Sequence, residues 1–158
     1  MKTLSLTPFQ AVALSAIKSE AERRGWKGEL TVVEETLVYQ VPLPRDPDLA
    51  GAFFAVDTTD GNILLYFLLP LAMPKSAIAA ACEFVAGHSI GMRFGALEID
   101  LNHGTLRVRL DCDVATGETG KAIERLIDRG RRVARNISPA WRQLCRDMQA
   151  VDAALQSS

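Results

Sequence analysis

The feature that most constrains this chain is an alternation of apolar and charged residues that runs twice between residues 97 and 110. Leu97, Ile99 and Leu101 alternate with Glu98 and Asp100, and Leu106, Val108 and Leu110 alternate with Arg107 and Arg109. Successive side chains of a strand point to opposite faces, so each run buries one face and wets the other. Asn102-His103-Gly104-Thr105 lies between the runs. A two-residue loop at His103-Gly104 sets Leu101 opposite Leu106, Ile99 opposite Val108 and Leu97 opposite Leu110. The same register sets Asp100 opposite Arg107 and Glu98 opposite Arg109, leaving one face apolar and the other lined with opposite-charge pairs. A slip of one residue would turn every apolar side chain to water. The chain therefore contains antiparallel sheet with one face to be covered.

The rest of the chain supplies the cover. Thr7-Pro8-Phe9-Gln10 carries a capping box with proline at the first helical position. Phe9, Val12, Ala13, Ala16 and Ile17 then fall on one helical face, and Gly25 is a natural stop. Residues 29–41 are rich in Thr, Val, Leu and Tyr and read as strand, with Glu34-Glu35 as a turn or bulge. Pro42 to Asp48 is a loop with three prolines. Residues 52–58 and 62–69 read as two more strands joined by a turn at 59–61. The run 63–69 is apolar on both alternating faces, which predicts a central strand covered on both sides. Met73-Pro74-Lys75-Ser76 opens a second helix, with Ile78, Ala81, Cys82 and Val85 on its inner face. A third helix carries Ile123, Leu126, Ile127, Gly130, Val133, Ala134 and Ile137 on one face. Ser138-Pro139 reads as a cap and restart before a last helix with Trp141, Leu144, Cys145, Met148, Val151 and Leu155. The predicted order is α-β-β-β-α-β-β-α-α: a single α+β domain over residues 1–158, with helices packed on an antiparallel sheet.

Several function classes lose their footing. Cys82, Cys112 and Cys145 are odd in number and form no CxxC pair, so a disulfide framework is not expected, and a reducing cytoplasm is the simplest setting. The N-terminus shows no signal peptide, and no apolar run approaches the roughly 20 residues that span a bilayer. His88 lies six residues after Cys82, nearly opposite it on a helix, and His103 lies in a turn. Neither makes a nucleophile–base pair. Asp111 and Asp113 point away from Cys112 on a strand, so no metal cluster forms there. Gly117 to Lys121 lacks the spacing of a phosphate loop. The expectation is no enzyme, no cofactor and no metal.

Charge distribution is the remaining anomaly. Residues 121–146 hold eight basic side chains against Glu124 and Asp128, a net +6 that leaves −7 on the remainder of a −1 chain. Seven of the eight are arginine, the side chain suited to bidentate carboxylate or phosphate contacts. Arg125, Arg129, Arg132 and Arg135 are the candidate partner-binding residues. Three readings fit: a solvated face paired to the acidic rest of the domain or of a second subunit, an acidic protein partner, or nucleic acid or anionic lipid held along helix 121–135. An overall charge of −1 excludes a globally basic nucleic-acid binder. Only Trp141 is near for base stacking, and it falls on the apolar face.

The stretch Phe94-Gly95-Ala96-Leu97-Glu98-Ile99-Asp100, then Gly104 to Leu110, Ile123-Glu124-Arg125-Leu126 and Ser138-Pro139-Ala140-Trp141-Arg142-Gln143-Leu144 resembles the YbjN-type family. That family is described as candidate bacterial sensory transduction regulators, with a fold similar to type III secretion chaperones. The resemblance implies a non-enzymatic, cytoplasmic protein-binding module, chaperone-like or regulatory, acting as a homodimer on a protein partner or client. It carries over no active site.

Overall fold

The computed structural model describes residues 6–57, 61–114 and 117–157. The elements are α1 (Pro8–Arg23), β1 (Glu29–Val33), β2 (Thr36–Pro42), β3 (Gly51–Val56), β4 (Asn62–Ala72), a 3₁₀ turn (Lys75–Ala77) leading into α2 (Ile78–Ser89), β5 (Ala96–Asp100), β6 (Thr105–Asp113) and α3 (Thr119–Gln156). The strands form one six-stranded sheet in the order β1-β2-β3-β4-β6-β5, antiparallel at every pairing. The fold class is the expected α+β sheet with packed helices. The division into elements differs from the sequence reading in two places.

The interruption at Glu34-Glu35 is a turn, not a bulge, so residues 29–41 form two strands where the element order counted one. Glu34 and Glu35 both have positive φ, 47° and 70°, and close a two-residue hairpin that pairs Val33 with Thr36. Both central residues of such a turn lie in the left-handed region, where asparagine and glycine are favoured and glutamate is strained. The capping-box residue Gln10 holds the turn, donating from Nε2 to the Glu35 carbonyl at 3.3 Å.

The second difference is at Pro139, which lies inside a continuous 38-residue α3 and does not restart the chain. Proline in a helix interior costs about 3 kcal/mol. The apolar stripe explains the outcome. Ala134, Ile137, Trp141 and Cys145 are all buried across the proline, and ending the helix there would uncover them. Trp141 is fully buried, and its Nε1 donates to the Leu71 carbonyl at 3.3 Å. That carbonyl is freed where β4 bulges past Pro70, with Leu71 at φ 68°.

The anchored hairpin β5–β6 keeps the expected faces but shifts its register by two residues. Leu97 faces Val108, Ile99 faces Leu106 and Glu98 faces Arg107. The loop is Leu101 to Gly104, not His103-Gly104 alone. Asp100 drives this: its Oδ1 accepts from the backbone N–H groups of Asn102 at 2.9 Å and His103 at 3.3 Å, forming an Asx turn. Gly104, at φ 68°, then donates to the Asp100 carbonyl, and its own carbonyl accepts from Met73. A two-residue slip preserves the alternation, so the core face is unchanged, and Leu101 alone is released to solvent.

All three helices lie on one side of the sheet. α3 packs on β4 and β6, α1 on α3 and β3, and α2 beside β5. Phe54, Phe67, Leu65, Val108 and Ile127 are buried at this interface. Gly130 sets the distance. A Cβ there would lie 2.6 Å from Phe67 Cε2 and 2.8 Å from Leu110 Cδ1. The inner stripe of α1 is Gln10, Ala13, Leu14, Ile17 and Ala21, so Val12 faces solvent contrary to the sequence reading. On α2 only Ala81 is buried, and Cys82, placed on the inner face by sequence, is exposed. Beyond Cys145, Gln149 Nε2 still donates to the Ala72 carbonyl at the end of β4, while Val151 and Leu155 are exposed.

Two stability changes follow. Gly130→Val should destabilise by about 2 kcal/mol, because overpacking outweighs the helix-propensity gain; chemical denaturation measures it. Replacing Glu34-Glu35 by Asn-Gly should stabilise by about 1 kcal/mol, read as a raised denaturation midpoint with an unchanged slope.

Candidate functional site

Six of the seven arginines of α3 divide into two sets. Arg131 and Arg135 both approach Asp46 Oδ2, at 3.6 and 3.4 Å, and Arg142 reaches Asp48 Oδ1 at 3.0 Å. Asp46 and Asp48 belong to the proline-rich loop between β2 and β3, so this set clamps the loop to the helix. At the other flank Arg23 reaches Glu124 at 3.1 Å and Arg24 reaches Asp128 at 2.8 Å, tying α1 to α3. Three of the eight basic side chains of residues 121–146 are thus met by acids of the 42–48 loop, while the window's own acids, Glu124 and Asp128, are taken up by Arg23 and Arg24. Arg135, a candidate partner residue, belongs to the clamp.

Arg125, Arg129 and Arg132 form the second set, exposed on the outer side of α3. The Arg129 guanidinium sits 4.6 Å from the centre of the Phe94 ring. Arg131 stacks over Trp26 at 5.7 Å, and its pKa is lowered, first by burial and then by the neighbouring Arg135 cation. An open cleft of about 680 Å³ lies alongside, lined by Trp26, Pro44, Arg45 and Arg135 among others, with no histidine or cysteine in its wall.

The thiols and imidazoles are dispersed. Burial pushes the Cys112 and Cys145 thiols up to about 11, which leaves little thiolate at neutral pH. His88 stacks on Phe84 and contacts the Phe84 carbonyl through Nδ1 at 3.0 Å. His103 Nδ1 lies 2.9 Å from Asp100 Oδ2, and that hydrogen bond holds the Asp100 carboxyl below its usual range. Among the described residues no group of three or more His, Cys, Asp or Glu is arranged to hold a metal ion. No helix of the described residues is long and apolar enough to cross a membrane.

The sheet face turned away from the helices is the feature the sequence did not disclose. Strand β4 alternates strictly: Ile63, Leu65, Phe67 and Leu69 are buried under the helices, while Leu64, Tyr66 and Leu68 are only half-buried. Among the described residues nothing gives β4 the expected second cover, since the helices pack over the face that carries Ile63, Leu65, Phe67 and Leu69. Leu64 lies beside Ala55, and Tyr66 beside Phe53, with the two rings stacked at 4.4 Å between centroids. On the other flank Tyr66 and Leu68 lie beside Arg109 and Arg107 of β6. The Arg107 guanidinium lies 4.9 Å from the Tyr66 ring centre, and both arginines bond Glu98 at 2.9 Å. The result is an apolar patch with a charged border. Contiguous exposed apolar patches of this kind mark interaction sites. The sequence signal lay in Leu64, Tyr66 and Leu68 themselves, but their exposure depends on β4 pairing with β6, whose outward face is charged.

No family model matches the chain, and neither does any curated protein. Among solved structures the chain is similar to YbjN from E. coli, described as "a putative transcription regulator". The match has a TM-score of 0.56 at 14% identity and covers 78% of this chain and 87% of that one. The two proteins share a fold, as the sequence resemblance implied.

The clamp gives a direct test. Asp46→Ala leaves two arginines without their shared carboxylate and should cost about 1–2 kcal/mol, discounted for solvent exposure. Arg132→Ala, on the free row, should change stability by less than about 0.5 kcal/mol in the same urea titration.

Proposed function

We propose that this protein is a non-enzymatic, protein-binding module, chaperone-like or regulatory, which acts as a homodimer and engages its client on the open face of the sheet. The observation that carries the reading is the half-buried patch of Phe53, Leu64, Tyr66 and Leu68 bordered by Arg107 and Glu98. Aromatic rings and arginine are the groups enriched in protein interfaces, and a polar rim around an apolar centre is their usual anatomy. The shared fold with a described transcription regulator is compatible with a regulatory role.

A second reading uses the row Arg125, Arg129 and Arg132. The observation in its favour is that these three remain on the outer face of α3 while their neighbours are engaged by Asp46 and Asp48. Nucleic acid or an anionic membrane bound there would be released steeply by salt.

One set of variants separates the two. Leu64→Lys with Leu68→Glu places each new charge across the ladder from an opposite one, Asp111 and Arg107, so folding is preserved. In affinity capture from the native cell, the double variant should lose the captured protein at least about tenfold, roughly 1.4 kcal/mol. Triple replacement of Arg125, Arg129 and Arg132 by glutamate should retain it. Loss in the triple variant alone, with low-salt retention of duplex DNA or anionic vesicles by the wild type, would overturn the first reading in favour of the second.

A further inference from the structure

The two edges of the sheet are not alike. Edge strand β5 is half-buried, and α2 packs against it. Edge strand β1 is exposed at all five residues, Glu29-Leu30-Thr31-Val32-Val33. Natural edges are usually guarded by lysine, proline, a bulge or a covering element. Among the described residues β1 has none of these beyond the charge of Glu29 at its end: its register against β2 is unbroken, and Leu30, Val32 and Val33 stand 38%, 40% and 54% exposed.

We infer that β1 is the surface through which two copies of this chain join, by antiparallel β1–β1 pairing about a two-fold axis at Thr31. The inference rests on the homodimer reading above and names its interface. Backbone geometry sets the register. The two-residue turn at Glu34-Glu35 makes Val33 and Thr36 a hydrogen-bonded pair. Bonding alternates along an antiparallel pair, so Val33, Thr31 and Glu29 turn their backbone groups toward β2, and Leu30 and Val32 turn theirs outward. Two outward-bonding strands join where Leu30 of one copy meets Val32 of the other. That register matches the whole strand to itself, with Thr31 opposite Thr31 as the close, non-hydrogen-bonded pair.

Charge agrees with the register. Glu29 falls opposite Val33, so no like charges oppose each other. Continued two steps beyond the strand, the pairing brings Lys27 beside Glu35 of the second copy, opposite charges at both ends of the interface. Leu30 and Val32 lie on the helix side with Tyr39 and Leu37 and gain apolar cover from their counterparts. The product is a continuous sheet with both helix layers on one side and both open patches on the other, so the dimer doubles the client surface without covering it.

The test is mass by light scattering at tens of micromolar, read with two substitutions. Val32→Pro removes an N–H that faces outward, leaving the β1–β2 ladder intact; Val32→Lys serves if the proline variant shows a lowered thermal midpoint. Thr31→Cys, made in a Cys82→Ser background because Cys82 is exposed, puts two thiols across the axis at about the 4.5 Å Cα separation of a non-hydrogen-bonded pair, which a disulfide spans. The inference expects a wild-type mass of twice 17.2 kDa, a single-chain mass for the Val32 variant, and a covalent dimer of Thr31→Cys on oxidation. A wild-type dimer that survives at Val32→Lys and forms no Thr31→Cys disulfide overturns the β1 interface and leaves the homodimer reading standing. A wild-type monomer overturns both.

Discussion

The close approach of α3 to strands β4 and β6 is the constraint on which the rest of the structure depends. At Gly130 the helix backbone lies against the Phe67 and Leu110 side chains with no room for a Cβ. From that point the buried stripe runs both ways along the helix, through Ile123 and Ile127 toward one end and Ala134, Ile137, Trp141 and Cys145 toward the other. Each fully buried side chain of this size contributes roughly 1.5–3 kcal/mol. Their sum outweighs the proline at 139 and explains why the helix passes through it. Trp141 also satisfies the Leu71 carbonyl exposed by the β4 bulge, so the irregularity of the strand and the continuity of the helix support each other.

One consequence is asymmetry. With α1, α2 and α3 all drawn to one side, the other side of the sheet keeps only its own side chains for cover. Charge follows the same division. The aspartates of the 42–48 loop consume Arg131, Arg135 and Arg142, and what looks like a basic surface in the sequence is in part an internal brace. The unspent features are an apolar face, an unguarded edge and a short row of arginines. All three point outward.

The sequence made legible what depends on local pattern. The capping box at Thr7 and Gln10 is present with both its hydrogen bonds. The apolar faces of the β5–β6 hairpin and of α3 were readable from their periods. What failed depended on competition between local and distant terms. Asp100 binding its own loop displaced the two-residue turn, and an Asx turn competes with a tight hairpin in ways a pairing pattern does not show. Pro139 reads as a break until the tertiary burial around it is known. Val12 was expected inward because it is apolar, but Gln10 takes the inner position, anchored to the Glu35 and Val56 carbonyls. The open patch is the feature least legible in the sequence. An apolar run such as 63–69 says that a strand is bordered by apolar groups on both faces, and only the placement of the helices shows that one face has no cover. Of the candidate residues, all four are exposed on α3, and Arg135 alone among them is engaged by Asp46.

The central claim is that the sheet has one covered face and one open face. Hydroxyl-radical footprinting of the free protein tests it at adjacent aromatic residues. Phe53 and Phe54 are neighbours on opposite faces of β3, as are Tyr66 and Phe67 on β4. The account predicts ready oxidation of Phe53 and Tyr66 and strong protection of Phe54 and Phe67. Equal protection of all four would mean that the second face is covered, and would contradict it.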